Sequence, residues 1–208
     1  YDPAVRRHEN LVPCLARAHK RRLPWGHRHT HRDLHIPERI SIRKRPAAVE
    51  RRRQAGHWEN DSAMARVSKA ALNVLVERTT RLTKLSRLPR RTAHETSVAI
   101  VRSLSHLPAR MRRTITYDNG AENVEHQRTN RKLNTLSFFC EPFHSWEKGT
   151  VENTIGLVRR FYPKKTNFDH VSVKELKRVE RWLNNRPRKV LHYDTPRERY
   201  RRIVALPH

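Results

Sequence analysis

From residue 57 onward the apolar positions fall into short runs whose period changes along the chain. Residues 58–64 read as a β-strand whose second half is small in side-chain volume. Residues 70–77, with Ala71-Leu72-Asn73-Val74-Leu75-Val76, form a strong strand, and residues 80–88 alternate Leu82, Lys84, Leu85, Arg87 and Leu88 as a third. Glu77-Arg78-Thr79-Thr80 supplies the turn between them. Thr92 then caps a helix in which Val98, Ile100, Val101, Leu104 and Leu107 recur at helical spacing, and Pro108 ends it. Residues 113–117 are a short β-type run stopped by Asp118-Asn119-Gly120. Residues 121–134 are predicted helical, 135–139 a fifth strand, and 141–149 a loop. Two helices follow, over 150–161 and 172–184; the second places Val173, Leu176, Val179 and Leu183 on one face.

Three strands joined as hairpins, followed by alternating helices and strands, imply an α/β layer fold. Its sheet is mixed and five-stranded with flanking helices, in the strand order of a ribonuclease-H-like fold. Residues 57–170 are expected to form this core, and 171–208 a basic helical extension of it. Residues 1–56 differ. Up to His57 the chain carries 15 lysines and arginines against five acidic residues, and Pro13, Pro24, Pro37 and Pro46 interrupt any long helix. This stretch reads as a basic arm without a core of its own, with one short helix near 9–20, ordered on a polyanion.

Charge narrows the function. The 208 residues hold 46 Lys+Arg and 20 Asp+Glu, a formal net charge of +26. A self-repelling charge of that size points to a polyanionic partner, and nucleic acid leads, though a histone-like binder without chemistry would share the composition. No apolar run approaches the roughly 18 residues of a membrane span. Cys14 and Cys140 stand too far apart for a zinc knuckle and form no disulfide framework, which fits a reducing cytoplasm. His27, His29, His31 and His35 invite a metal reading, but their spacing of two and four without cysteine favours a hydrated linker facing DNA.

Three acidic residues occupy unusual places. Asp61 lies inside the first predicted strand, where Asp is disfavoured and a buried carboxylate is costly unless paired or metal-bound. Asp118 ends the fourth strand. Glu152 opens the helix after Gly149. Each has a plain alternative: an edge-strand surface residue, ordinary Asp-Asn-Gly turn chemistry, and a favourable charge at a helix N-terminus. Together they offer hard oxygen ligands on separate elements, as Mg²⁺ requires. Two such ions about 4 Å apart activate an attacking oxygen and stabilise the leaving one.

Several segments carry a family resemblance: Gly56-His57-Trp58-Glu59-Asn60-Asp61, Leu75-Val76-Glu77-Arg78-Thr79-Thr80-Arg81, Leu107-Pro108-Ala109-Arg110, Thr116-Tyr117-Asp118-Asn119-Gly120-Ala121-Glu122, residues 142–153 and residues 183–189. In these the chain resembles a DDE transposase of the bacterial insertion-sequence-thirty family, with the integrase catalytic core. The resemblance implies metal-dependent cleavage and strand transfer of an insertion element. Asp61, Asp118 and Glu152 would be the catalytic acids and metal ligands, holding two Mg²⁺ ions for which Mn²⁺ would substitute. Arg159, seven residues beyond Glu152 and two helical turns on, would hold a DNA phosphate. Asn119, Asn153 and Trp146 are further candidate DNA contacts. DNA, as element ends and target, is the implied partner; a homo-oligomer would join two ends, and the setting would be the bacterial cytoplasm at the nucleoid. The chain departs from the family at His57, at Asn60, across residues 62–66 and at Gly156. It opens at Tyr1 with nothing resembling a helix-turn-helix, so a truncated or inactive remnant that only binds DNA is one rival. A ribonuclease-H-like nuclease is the other.

Overall fold

A computed structural model describes residues 35–65, 67–142 and 144–205. The predicted helix near 9–20 and His27, His29 and His31 lie outside these residues. The described chain forms α1 (Ala47–Glu50), β1 (His57–Met64), β2 (Ala71–Glu77), β3 (Thr83–Leu88), α2 (Ala93–Leu104), β4 (Thr114–Tyr117), α3 (His126–Leu133), β5 (Leu136–Phe139), α4 (Gly149–Val158), α5 (Val173–Asn185) and α6 (Pro196–Ala205). The sheet order is β3-β2-β1-β4-β5. β1–β2 and β2–β3 pair antiparallel, while β1–β4 and β4–β5 pair parallel. This is the mixed, ribonuclease-H-like sheet expected from the order of elements. Among the described residues no helix is long and apolar enough to cross a membrane.

The near-continuous apolar run of β2 is explained by burial on both faces, since all seven of its residues are buried. Leu72, Val74 and Val76 point to one layer and pack with Val151 and Val158 of α4 and Leu176, Val179 and Leu183 of α5. Leu75 points to the other, with Trp58, Ile115, Tyr117 and Phe139 of the sheet, Ile100 and Leu104 of α2 and Leu133 of α3. The Trp58 indole N–H donates to the Met111 carbonyl at 2.7 Å, so this ring enters the core without an unpaired donor. α5 starts where Ser172 and Glu175 form a reciprocal capping box.

Two elements differ from the sequence reading for local reasons. The third strand begins at Thr83 instead of residue 80, because the buried Glu77 carboxylate accepts the N–H groups of Thr79 and Thr80 and the Thr80 hydroxyl. That turn holds Arg81 at φ 63°. The helix expected over 121–134 divides into a single 3₁₀ turn and α3, which ends on Asn134 in the left-handed conformation (φ 50°).

Residues 35–56, read in the sequence as part of the basic arm, lie within the same compact unit as the sheet. Ile36 and Ala55 join the α2/α3 side of the core, Val49 is buried, and Ser41 bridges to Phe139 beside β5. The Arg45 guanidinium donates to the Thr116 hydroxyl at 2.8 Å and pairs with Glu50. A few apolar residues between prolines are enough to seat this stretch, because the sheet supplies the surface they cover.

His57, at the start of β1, bonds the Thr114 hydroxyl (2.8 Å) and the Gln54 amide oxygen (3.1 Å). Burial and the nearby Arg113, Arg78 and Arg45 charges push its pKa down to about 4. The unfolded chain therefore binds a proton near pH 6.5 that the folded chain refuses. The stability this contributes is complete above about 6.5 and is lost as pH falls towards 4. Urea denaturation at pH 7 and pH 4.5 should show wild type losing on the order of 2 kcal/mol more than His57→Gln over that interval. Equal losses in the two proteins would show that His57 is not the group responsible.

Candidate functional site

The parallel register of β1 and β4 pairs Glu59 with Thr116. Asp61 and Asp118 each lie two residues further on, so both return to the same face at the same level. Asp61 is the fifth of eight residues in β1, whereas Asp118 lies just past the end of β4, so the pair sits where β4 stops and β1 runs on. Asp118 leaves the sheet in a turn closed by its own side chain. Its Oδ1 accepts from the Asn123 amide at 2.7 Å and from the Gly120 N–H at 3.3 Å. Asp61 Oδ1 accepts from the Ser62 N–H at 2.7 Å.

The group that meets both acids is Lys148. It ends a 3₁₀ turn, Ser145–Lys148, just before α4 and is buried. Its Nζ lies 3.5 Å from Asp61 Oδ2 and 3.4 Å from Asp118 Oδ2, and donates to the Asn60 carbonyl at 3.1 Å. Burial opposes the ammonium charge, but the two carboxylates outweigh it and the Lys148 pKa is raised. Burial also raises the Asp61 pKa, with the Asp118 charge adding to the effect and the Lys148 charge opposing it. One ammonium thus stands where the two carboxylates converge.

α4 is positioned by a second acid on the same face of β1. Glu59 is fully buried; its Oε2 accepts the Val151 N–H of α4 at 2.9 Å and its Oε1 the Arg78 guanidinium at 3.0 Å. Glu152 is the next residue of that helical turn, and its side chain is exposed. Among the described residues no three His, Cys, Asp or Glu side chains come together as a group able to hold a metal ion. Two of the three candidate acids therefore share one cation, which is Lys148, and Glu152 is not in that cluster. In this arrangement the donor set suits a lysine ammonium better than a pair of divalent ions.

The other candidate residues are placed as follows. Arg159 caps the end of α4 and donates to the Met64 carbonyl at 2.7 Å and the Tyr162 carbonyl at 3.5 Å, which ties α4 to the end of β1. Asn119 accepts from Arg39 at 2.8 Å and donates to the Cys140 carbonyl at 2.9 Å. Asn153 lines a cleft beside α4. Trp146 is two-thirds exposed and stacks on His144 with ring centroids 4.4 Å apart. Sequence reasoning missed Lys148. Its only signal was a lysine directly before the glycine that opens the helix, and nothing in the linear order reveals that its side chain is buried against β1 and the end of β4.

No protein-family model matches the chain. It is 37% identical over 197 residues to the transposase for insertion sequence element IS1086 of Cupriavidus metallidurans, covering 95% of this chain and 58% of that protein. It is 34% identical over 203 residues to the transposase InsI for insertion sequence element IS30A of Escherichia coli, covering 96% of this chain and 52% of that one. The chain thus spans between half and two thirds of the length of these curated relatives. The catalytic core domain of BIV integrase has a similar fold, with a TM-score of 0.54 at 19% identity over 72% of this chain and 96% of that domain.

The Lys148 contacts make a stability prediction. Lys148→Met should cost about 1–3 kcal/mol at pH 7, since it leaves two carboxylates facing each other, one of them partly exposed and screened. In Asp61→Asn the same change should cost less, with a coupling of at least about 0.5 kcal/mol in a double-mutant cycle read by urea denaturation. Strict additivity would show that the lysine and Asp61 do not interact.

Proposed function

The chain belongs to the DDE transposases with the integrase catalytic core, and from that premise we propose that it binds DNA as a transposase core whose acid site is closed by its own lysine. The observation that carries this reading is the Lys148 ammonium within 3.5 Å of both Asp61 and Asp118. The lysine already offsets one of the two carboxylate charges, and the net charge of +26 leaves a strongly basic surface for phosphate. The relatives are named as transposases of insertion elements, so the DNA in question would be element ends and target, in a bacterial cell at the nucleoid.

A second reading, metal-dependent cleavage and strand transfer, is favoured by one observation: the register of β1 and β4 brings Asp61 and Asp118 to one level. Asp61, Asp118 and Glu152 would then hold Mg²⁺, or Mn²⁺ in its place, and the ion would supply charge neutralisation at the phosphodiester. For this Lys148 has to withdraw and Glu152 has to turn inward. Asn119, Asn153, Trp146 and Arg159 would contact DNA around the site.

The two readings separate in a single set of measurements. Wild type should bind a fluorescent duplex with an affinity that falls steeply with salt, should give no Mn²⁺ binding by calorimetry, and should neither nick nor join DNA in Mg²⁺. Strand-transfer products that vanish in Asp118→Asn, together with Mn²⁺ binding lost in the same variant, would overturn the closed-site reading in favour of the second. Failure to bind duplex DNA at low salt would sink both.

A further inference from the structure

A cleft of about 220 Å³ beside the first turns of α4 is lined by Arg52, Arg81 and Arg188, with Thr150, Asn153 and Thr154 between them. Three guanidinium groups share this small space, and among the described residues none of the three is in a salt bridge with a carboxylate. Arg81 donates to the Thr150 hydroxyl at 2.9 Å and Arg188 to the Leu183 carbonyl at 3.2 Å. The Nε groups of Arg81 and Arg188 are both buried without a partner. The acids whose charge reaches these groups, Glu59 and Glu77 near Arg81 and Glu50 near Arg52, are engaged elsewhere, Glu50 with Arg45 and Arg78. Glu59 serves Arg78 and the Val151 N–H, and Glu77 the N–H groups of Gly56, Thr79 and Thr80. Like charges gathered without a counter-ion raise the energy of the fold, and an anion seated between them reverses the sign of that term.

We propose that this cleft is a phosphate site for a nucleic-acid strand, separate from the Asp61–Asp118 pair. The planar fork of a guanidinium matches the oxygens of a phosphodiester, and three such forks with threonine hydroxyls and an amide beside them form a full complement of donors. A strand, rather than a free anion, is indicated by what adjoins the cleft. Arg52 also lines a second, wider cleft of about 780 Å³ with Arg53, Arg199 and Arg202. Arg199 and Arg202 there are paired with Asp194, which leaves Arg52 and Arg53 to continue the basic path. A chain of phosphates passing from one cleft to the other would lie against the N-terminal turn of α4, the turn that carries Glu152. The inference rests on the DNA-binding reading above.

The test compares Arg52→Gln/Arg188→Gln with Arg102→Gln/Arg131→Gln, which removes the same charge from exposed positions on α2 and α3. Binding of a fluorescent duplex is measured across a range of salt, after thermal melts show that each protein is folded. The single variant Arg52→Gln, whose side chain makes no hydrogen bond or salt bridge among the described residues, guards against loss of structure in the double variant. The cleft variants should bind about tenfold more weakly, and their slope of log affinity against log salt should be shallower by about 1. The control pair should keep a steeper slope. Equal effects in the two pairs would overturn the cleft and leave the DNA reading standing, whereas no binding by wild type would remove the DNA reading and the cleft with it. Calorimetry with inorganic phosphate forms the second arm. Phosphate binding abolished by Arg52→Gln without any change in duplex binding would identify a free-anion site and overturn the strand assignment.

Discussion

The buried carboxylate of Glu59 joins the sheet to helix α4, and the geometry of the whole acid site follows from that joint. Removing a carboxylate from water costs several kcal/mol unless its lone pairs are met. Glu59 meets that condition by taking a guanidinium from the end of β2 and a backbone N–H from the first turn of α4. Arg78 passes the constraint on to Glu50, and Glu50 to Arg45, whose guanidinium reaches Thr116 in β4. One chain of charges therefore connects α1, β1, β2, β4 and α4. It sets where α4 begins, and with it the position of Lys148 just before the helix and of Glu152 in its first turn.

A chain with a net charge of +26 has few carboxylates to distribute, and the fold places many of them inside. Glu59, Glu77 and Glu180 each satisfy backbone or side-chain donors at buried positions. Asp61 and Asp118 are held by Lys148. Glu59 and Glu77, the acids whose charge reaches Arg81, are thus directed inward, and guanidinium groups are left facing an open cleft. The internal use of negative charge adds to the positive charge left at the surface.

Lys148 also gives the acid site two possible characters from one set of side chains. With the ammonium between them, two aspartates at one level of adjacent parallel strands form a partly buried cluster in which one of the two negative charges is offset. With the lysine elsewhere, the same pair presents unpaired oxygens to a cation or repels a phosphate. The side chain is long, and its charge is held by Coulomb attraction and one backbone carbonyl. Which character prevails depends on competition for two carboxylates, a balance of solvation and charge.

Much of this architecture was legible in the residue order. The apolar run over 70–77 implied a strong strand, the helical spacing from Val98 to Leu104 implied α2, and hairpins followed by alternating units implied the mixed sheet; these signals are local and survive without partners. Asp61 stood out as an acid inside a strand, and Asp118 as one where a strand gives way to a loop. The contents of the site depended on tertiary structure. Sequence spacing carries no record that Lys148 reaches both aspartates, that Glu152 stays exposed one helical turn away, or that Arg52, Arg81 and Arg188 meet across 136 residues of chain. Such contacts arise when separate elements are brought together by a core they share, and the free energy that selects them is that of burial and charge pairing over the whole fold. The sequence alone thus determined which elements form and which acids are exceptional. Only the folded chain decided which charges neutralise one another and which remain for a partner.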